Sequence, residues 1–178
     1  MDAAYALMIA EDHALLRENL ALGLGRHPQF RLAGSFGNGQ ALLDHLAARP
    51  GTLPHAVLMD VCMPELDGME ATWRLKRLYP QVKVMMVTSL NDAMSLRLAF
   101  RVKADGYCTK ETGIDELALA LQYVLGGHRW IDPRVARFVL EHPQGFEQPR
   151  LAAQERAYAA RLEPPSAERD ATGPTDTP

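Results

Sequence analysis

The sequence predicts an α/β protein built on a doubly wound, five-stranded parallel sheet, and three observations carry that expectation. Five short apolar runs alternate with five helical stretches along the chain. The connections are only a few residues long, which together with right-handed crossovers restricts the topology to a doubly wound sheet. Four of the five runs end on an acidic, hydroxyl or ammonium side chain, and in such sheets the functional crevice lies at the carboxyl ends of the strands. A short additional helix is expected after the fifth unit.

Composition excludes several function classes. At 178 residues and 47% hydrophobic, the chain suffices for one domain of ordinary size plus an appendage. A formal charge of −3 lacks the basic excess of a free-standing nucleic-acid binder. Two cysteines, Cys62 and Cys108, make neither a disulfide framework nor a thiolate zinc site on their own, and the six histidines lack metal-ligand spacing. With no signal peptide and no apolar run long enough to cross a bilayer, a cytoplasmic protein with neither membrane nor nucleic acid as partner is expected.

Taken in order, residues 5–10 are an apolar run ending at Glu11-Asp12. Residues 13–26 carry Leu16, Leu20 and Leu24 at i, i+4 and i+8, the stripe of a helix packing one face on a core, and Pro28 closes it. A second strand is read at 30–36. Gly37-Asn38-Gly39 then opens a helix bearing Leu42, Leu43, Leu46 and Ala47, followed by a loop marked by Pro50, Gly51 and Pro54. The third strand, 56–59, delivers Asp60 to a loop containing Pro64 and Gly68. A helix over about 69–79 follows, with Ala71, Leu75 and Leu78 on one side. Residues 82–87 form a mostly apolar fourth strand, as expected when both faces of a parallel sheet are covered, and it ends at Thr88-Ser89.

Residues 91–102 are helical with a weaker stripe, and a fifth strand at 106–109 runs into Lys110. Thr112-Gly113-Ile114-Asp115 matches a capping box with the Thr112 hydroxyl at the N-cap. The helix behind it carries Ile114, Leu117, Ala118, Leu121, Val124 and Leu125, and Gly126-Gly127 ends it. The extra helix is placed at 133–142, with Pro133 in its first turn and Val135, Phe138 and Val139 on its apolar side. Beyond it the composition changes: six of the chain's twelve prolines lie in 143–178, and four arginines there face six acidic residues. Only 151–162 has helical character, and a largely disordered tail is expected.

The chemistry rests on the strand ends. Asp60 by itself admits a bland reading in which it caps the helix that follows. Glu11, Asp12 and Asp60 gathered in one pocket would repel one another unless a cation sat among them. A hard divalent ion with oxygen ligands, Mg2+, resolves that repulsion and leaves room for phosphate oxygens. Thr88 and Lys110 would offer a hydrogen bond and a positive charge to an incoming phosphoryl group, making Asp60 the natural nucleophile for an acyl phosphate.

Four clusters then carry a family likeness: Glu11-Asp12-His13 with Leu16-Arg17-Glu18, Met59-Asp60-Val61-Cys62-Met63-Pro64 with Asp67-Gly68, Val87-Thr88-Ser89, and Ala104-Asp105-Gly106-Tyr107 with Lys110. On these the chain resembles the receiver domain of bacterial two-component response regulators over about residues 5–126, and within that family the LuxR/NarL-type branch. The resemblance implies a flavodoxin-like strand order 2-1-3-4-5, a receiver domain over 1–127 and a linker-type helix within 128–142. It implies that Asp60 accepts a phosphoryl group from a sensor histidine kinase, with Mg2+ held by Glu11, Asp12, Asp60 and the backbone carbonyl of Cys62. Thr88 and Lys110 would grip the phosphoryl oxygens. Movement of Thr88 would couple to a rotamer change at Tyr107, reshaping the face of helix 4, strand 5 and helix 5 for an unidentified downstream protein. For Tyr107 the plainer reading is a half-buried strand aromatic. Family members pair through helices 1 and 5 or through that switch face, so a homodimer is expected, with no enzymatic activity beyond self-phosphorylation and self-dephosphorylation at Asp60.

Three departures stand out. Val102-Lys103 replaces the Ala-Gly often found before Ala-Asp-Gly, so the loop there is expected to differ in backbone and charge. Cys62 and Leu90 sit where such domains admit a hydrolytic water, and Cys62 has a second reading as a redox-sensitive thiol. The 36 residues after His142 are too few for the helix-turn-helix domain of LuxR/NarL-type regulators, despite a faint likeness at Leu151-Ala152-Ala153-Gln154-Glu155-Arg156, so a receiver-only chain is expected. Two alternatives stand beside this one. A haloacid-dehalogenase-like aspartyl-phosphate phosphatase would need a second acid where Cys62 stands. A DNA-binding transcription regulator would have to act through a full-length partner, against the tail's net −2.

Overall fold

The computed structural model describes residues 4–89 and 92–141. Along the chain the elements are β1 (Tyr5–Ala10), α1 (Ala14–Leu24), β2 (Phe30–Phe36), α2 (Gly39–Ala48), β3 (Ala56–Met59), α3 (Gly68–Leu78), β4 (Lys83–Thr88), α4 (Ala93–Arg101), β5 (Gly106–Thr109), α5 (Ile114–Leu125), β6 (Trp130–Ile131) and α6 (Pro133–Glu141). All strand pairs are parallel, in the order β2-β1-β3-β4-β5-β6. The expected order 2-1-3-4-5 is present. The sheet has six strands where five were expected, because β6 adds itself to the outer edge of β5. Trp130 N–H donates to Asp105 O (3.2 Å) and Asp132 N–H to Tyr107 O (2.8 Å). A two-residue strand has no periodicity for a sequence to display.

Strand alternation divides the core into two layers. Leu7, Ile9, Leu58, Met85, Val87 and Cys108 face α1 and α5, while Met8, Ala10, Val57, Met59, Val84, Met86 and Tyr107 face α2, α3 and α4. Because both sheet faces are covered, every residue of β3 and β5 is buried. Val135 of α6 is fully buried in the second layer, and α6 packs on α4. The side chains of residues 138 and 139, and the segments 90–91 and 142–178, lie outside the described residues; so do Leu90, the 151–162 helix and the tail.

Helix starts follow capping chemistry. Asn38 accepts from Ala41 N–H, Asp67 from Glu70 N–H (2.9 Å) and Asp92 from Ser95 N–H (2.9 Å). With Asp67 capping α3, Asp60 is not that helix's cap. The capping-box expectation for Thr112 is corrected: the N-cap of α5 is Gly113, which makes no side-chain cap bond. The Thr112 hydroxyl donates instead to Asp132 Oδ2 at 2.6 Å. Gly127, with φ of +90°, takes the left-handed conformation that ends α5. Lys103 adopts φ of +67° in the loop before β5. An L-side chain pays roughly 1–2 kcal/mol there, a cost that glycine escapes.

One close approach fixes the loop after β3. Gly68 N–H donates to Val61 O at 2.9 Å, and a Cβ on Gly68 would lie 1.9 Å from the carbonyl oxygen of Asp60. Gly68→Ala must therefore displace the Asp60 peptide or the start of α3. Thermal unfolding is expected to show a loss of at least about 2–3 kcal/mol; an unchanged midpoint would show that the loop yields freely.

Candidate functional site

The ends of β1, β3, β4 and β5 lie in register, and this brings distant residues together. Ala10 pairs with Met59 and Thr88 with Thr109, so Glu11, Asp60 and Lys110 each stand one step past a paired strand end. Backbone bonds hold those steps in place: Glu11 N–H to Phe36 O (3.0 Å), Asp60 N–H to Ala10 O (2.9 Å) and Lys110 N–H to Thr88 O (2.9 Å). Arg17 pins the β1–α1 loop from α1, its Nη1 donating to the carbonyls of Glu11 (2.6 Å) and Asp12 (3.3 Å).

Glu11, Asp12 and Asp60 each offer a carboxylate oxygen, all within 4.8 Å of one another. Glu11 and Asp60 are buried and Asp12 is exposed, so the cluster opens to solvent on one side. Lys110 Nζ bridges the two buried acids, 2.8 Å from Asp60 Oδ2 and 2.8 Å from Glu11 Oε2, and it donates to Glu11 Oε1 at 3.0 Å. Although Oε2 is close to the ammonium, it is fully buried and accepts no well-formed hydrogen bond among the described residues. Burial pushes the Glu11 carboxyl above its ordinary range and the charge of Asp60 adds to the rise, against the pull of Lys110 and of His13 N–H. Burial would lower the Lys110 ammonium, but the carboxylates of Asp60 and Glu11 outweigh it and hold the group above its usual value. Three carboxylates gathered around one lysine, two of them buried and one open to solvent, fit a small divalent cation bound by oxygen.

The remaining expected residues fall into place unevenly. Thr88 ends β4 fully buried. Cys62 is exposed beside Asp60, with its N–H 3.4 Å from Asp60 Oδ1. Although the residue reaches solvent, partial desolvation of its thiol and the neighbouring Asp60 charge raise the Cys62 pKa, which works against the thiolate that a redox-sensing reading requires. Tyr107 is fully buried, not half-buried, and a hydrogen bond joins its hydroxyl to Ser95, which in turn donates to Asp92 Oδ2 at 2.7 Å. The tyrosine is thereby tied to the first turn of α4. Asp105 lies at the far end of β5, accepting from Lys76 Nζ (2.5 Å), Lys83 Nζ (3.2 Å) and Val84 N–H (2.9 Å). Its motif is structural at this end of the sheet.

The residues that sequence reasoning missed lie beyond Lys110. Asp132 is fully buried, and Arg134 of α6 lines a cavity of about 110 Å³ together with Ser89, Thr109, Lys110 and Glu111. An Asp directly before a Pro at a helix start is an N-cap signal, and it was there to be read.

Comparison with known proteins decides the family. Residues 7–122 match the response regulator receiver domain. The chain belongs to that family. Over 131 residues, the receiver chain is 34% identical to response regulator GacA of Pseudomonas protegens, covering 74% of this chain and 60% of that protein. It thus spans about 60% of the length of the curated relatives it matches. Among solved structures, a LuxR-family two-component response regulator from Aurantimonas sp. SI85-9A1 superposes with a TM-score of 0.73 at 23% identity, covering 79% of this chain and 99% of that one. A DNA-binding response regulator of the LuxR family from Staphylococcus aureus gives a TM-score of 0.63 at 26% identity, covering 68% and 98%. The chain is therefore a two-component receiver domain of LuxR-type kinship, with the acidic pocket that such domains use for Mg2+. No helix among the described residues is long and apolar enough to cross a membrane.

Proposed function

We propose that this receiver domain is the phosphoacceptor of a two-component relay, in which Asp60 takes a phosphoryl group from a histidine kinase and a changed surface passes the signal to a partner protein. The observation that carries the reading is the Asp60–Lys110–Glu11 contact at the aligned strand ends, with Asp12 completing the acidic cluster. In the step itself a carboxylate oxygen of Asp60 forms the new P–O bond as the donor's bond to phosphorus breaks, and the donor's leaving nitrogen or oxygen keeps the electron pair. Lys110 neutralises charge on the transferring oxygens, and the hydroxyl of Thr88 supplies a hydrogen bond to one of them. Glu11, Asp12, Asp60 and the carbonyl of Cys62 would hold Mg2+, which supplies electrostatic stabilisation of the phosphoryl oxygens when bound.

Tyr107 is the natural readout in this scheme. Its link to Ser95 joins β5 to α4, so a shift of Thr88 toward a phosphoryl group would be felt on the α4 side of the sheet. Residues 1–127 then act as the receiver domain and 128–142 as a linker-type segment, of which α6 packs on α4, with a homodimer as the expected assembly. Cys62 offers no carboxylate for turnover of external phosphoesters, which favours a signalling role over a phosphatase.

Acetyl phosphate with Mg2+ tests this. The protein is expected to gain one hydroxylamine-labile phosphoryl group, as an acyl phosphate must, and to gain none when the metal is chelated. A hydroxylamine-stable label, or none, would overturn the proposal.

A further inference from the structure

We infer that Asp132 is a positioning residue for Lys110, tying the first turn of α6 to the β5–α5 turn that presents the ammonium to Asp60. The functional meaning of this tie rests on the phosphoacceptor reading above. Lysine has a long, flexible side chain, so its head group is only as well placed as the backbone beneath it. That backbone is held from two sides. On one, Lys110 N–H is bound by Thr88 O at 2.9 Å, which fixes it to β4. On the other, the residues bracketing it, Thr109 and Thr112, both turn to Asp132. Asp132 Oδ2 accepts from the Thr112 hydroxyl (2.6 Å), the Thr109 hydroxyl (3.3 Å) and Thr109 N–H (3.4 Å).

The same residue begins α6. Asp132 Oδ1 accepts from Arg134 N–H at 2.8 Å, its carbonyl accepts from Ala136 N–H at 2.9 Å, and its own N–H closes β6 on Tyr107 O. Arg134 spans from Asp132 (3.2 Å) to Glu116 on α5 (3.3 Å). A fully buried carboxylate is tolerated only when its oxygens are occupied, and here every donor comes from the last residue of β5, the β5–α5 turn or α6. Burial alone would raise its pKa, but the Thr112, Arg134 and Thr109 donors and the charge of Arg134 hold it below the ordinary value, so the tie is ionised at neutral pH. Helix N-caps commonly end their work at the helix. This one reaches into the turn carrying the site's only lysine among the described residues. By linkage, whatever lifts α6 loosens Lys110, and whatever pulls Lys110 toward a phosphoryl group loads α6.

Thr112 allows a clean test, because it does not cap α5 and its hydroxyl serves the tie. In the full 178-residue chain, Thr112→Val and Thr112→Ser are compared by two readouts. One is the rate of Mg2+-dependent labelling by acetyl phosphate, and the other is the rate at which N-hydroxysuccinimidyl acetate acylates Lys110, followed by mass spectrometry. Thr112→Val is expected to slow labelling roughly 3- to 10-fold and to speed Lys110 acylation several-fold. Its melting temperature should fall by several °C, the expected cost of losing one hydrogen bond to a buried carboxylate, and the Lys110 acylation rate reads the placement of the ammonium apart from that loss. Thr112→Ser should restore both rates, a rescue that a purely structural role would not require. If the parent chain takes label but Thr112→Val changes neither rate, the tie is overturned. If the parent takes no label while Lys110 acylation still separates the two variants, the phosphoacceptor reading falls and the tie between α6 and Lys110 stands.

Discussion

Asp60→Asn is expected to take no label from acetyl phosphate under conditions that label the parent chain to completion. The substitution keeps the shape of the side chain and an oxygen for Lys110, whose Nζ lies 2.8 Å from Oδ2, so the pocket is preserved while the nucleophile is lost. An amide oxygen is a far poorer nucleophile than a carboxylate, and the neutral amide would also hold a divalent cation less firmly. Stability should not suffer. Glu11 lies above its ordinary range partly because Asp60 is charged beside it, and neutralising Asp60 relieves that repulsion. Loss of label at an undiminished melting temperature is therefore the expected pair of results, read by mass spectrometry and thermal unfolding. Persistent hydroxylamine-labile label would move the phosphoryl group to Glu11 or Asp12 and remove Asp60 from its role.

Lys110→Met should separate chemistry from metal binding. The ammonium bridges Glu11 and Asp60, so in the proposed reaction it would stabilise the transferring oxygens and would also compete with a cation for the same acids. Removing it should slow labelling roughly 10²- to 10³-fold, the usual cost of losing one charged donor to a reacting oxyanion, or about 3–4 kcal/mol. Mg2+ affinity should move the other way and rise several-fold, because two buried carboxylates lose their only described lysine partner. Calorimetric titration of Mg2+ beside the labelling rate gives both numbers. Labelling within twofold of the parent would refute the role of Lys110, and weaker Mg2+ binding would refute the competition.

Most of this site could be read in the sequence, for a physical reason. A parallel sheet buried on both faces writes its strands as apolar runs, so the polar residue ending each run is conspicuous: Glu11 after β1, Asp60 after β3, Thr88 closing β4 and Lys110 after β5. The bounds of β1, β3 and β5 follow from that contrast. Thr112 was misread because a hydroxyl three residues before an acid satisfies the capping pattern, and a pattern carries no knowledge of a competing acceptor. Asp132 lies 20 residues further along the chain and claims that hydroxyl in three dimensions. Tyr107 looked half-buried because the covering by α4 depends on the Asp92 cap and the Ser95 bond, neither of which has a periodic signature. Lys103 shows the reverse case: a left-handed φ that suits glycine is carried by a lysine, at a cost in strain that no pattern in the sequence announces.

The two residues of β6 have a consequence for the exposed margin of the sheet. Without them β5 would end the sheet as a bare border of unpaired N–H and C=O groups, four residues long and buried-facing on both sides, the kind of template that invites another chain to add itself as a strand. Trp130 and Ile131 occupy that border, and Asp132 turns the chain away from it into a helix. At the opposite border β2 carries a register shift against Leu7 and Met8 and exposes Arg31 and Leu32, which twists and charges it. Runaway sheet extension is thus discouraged at both margins.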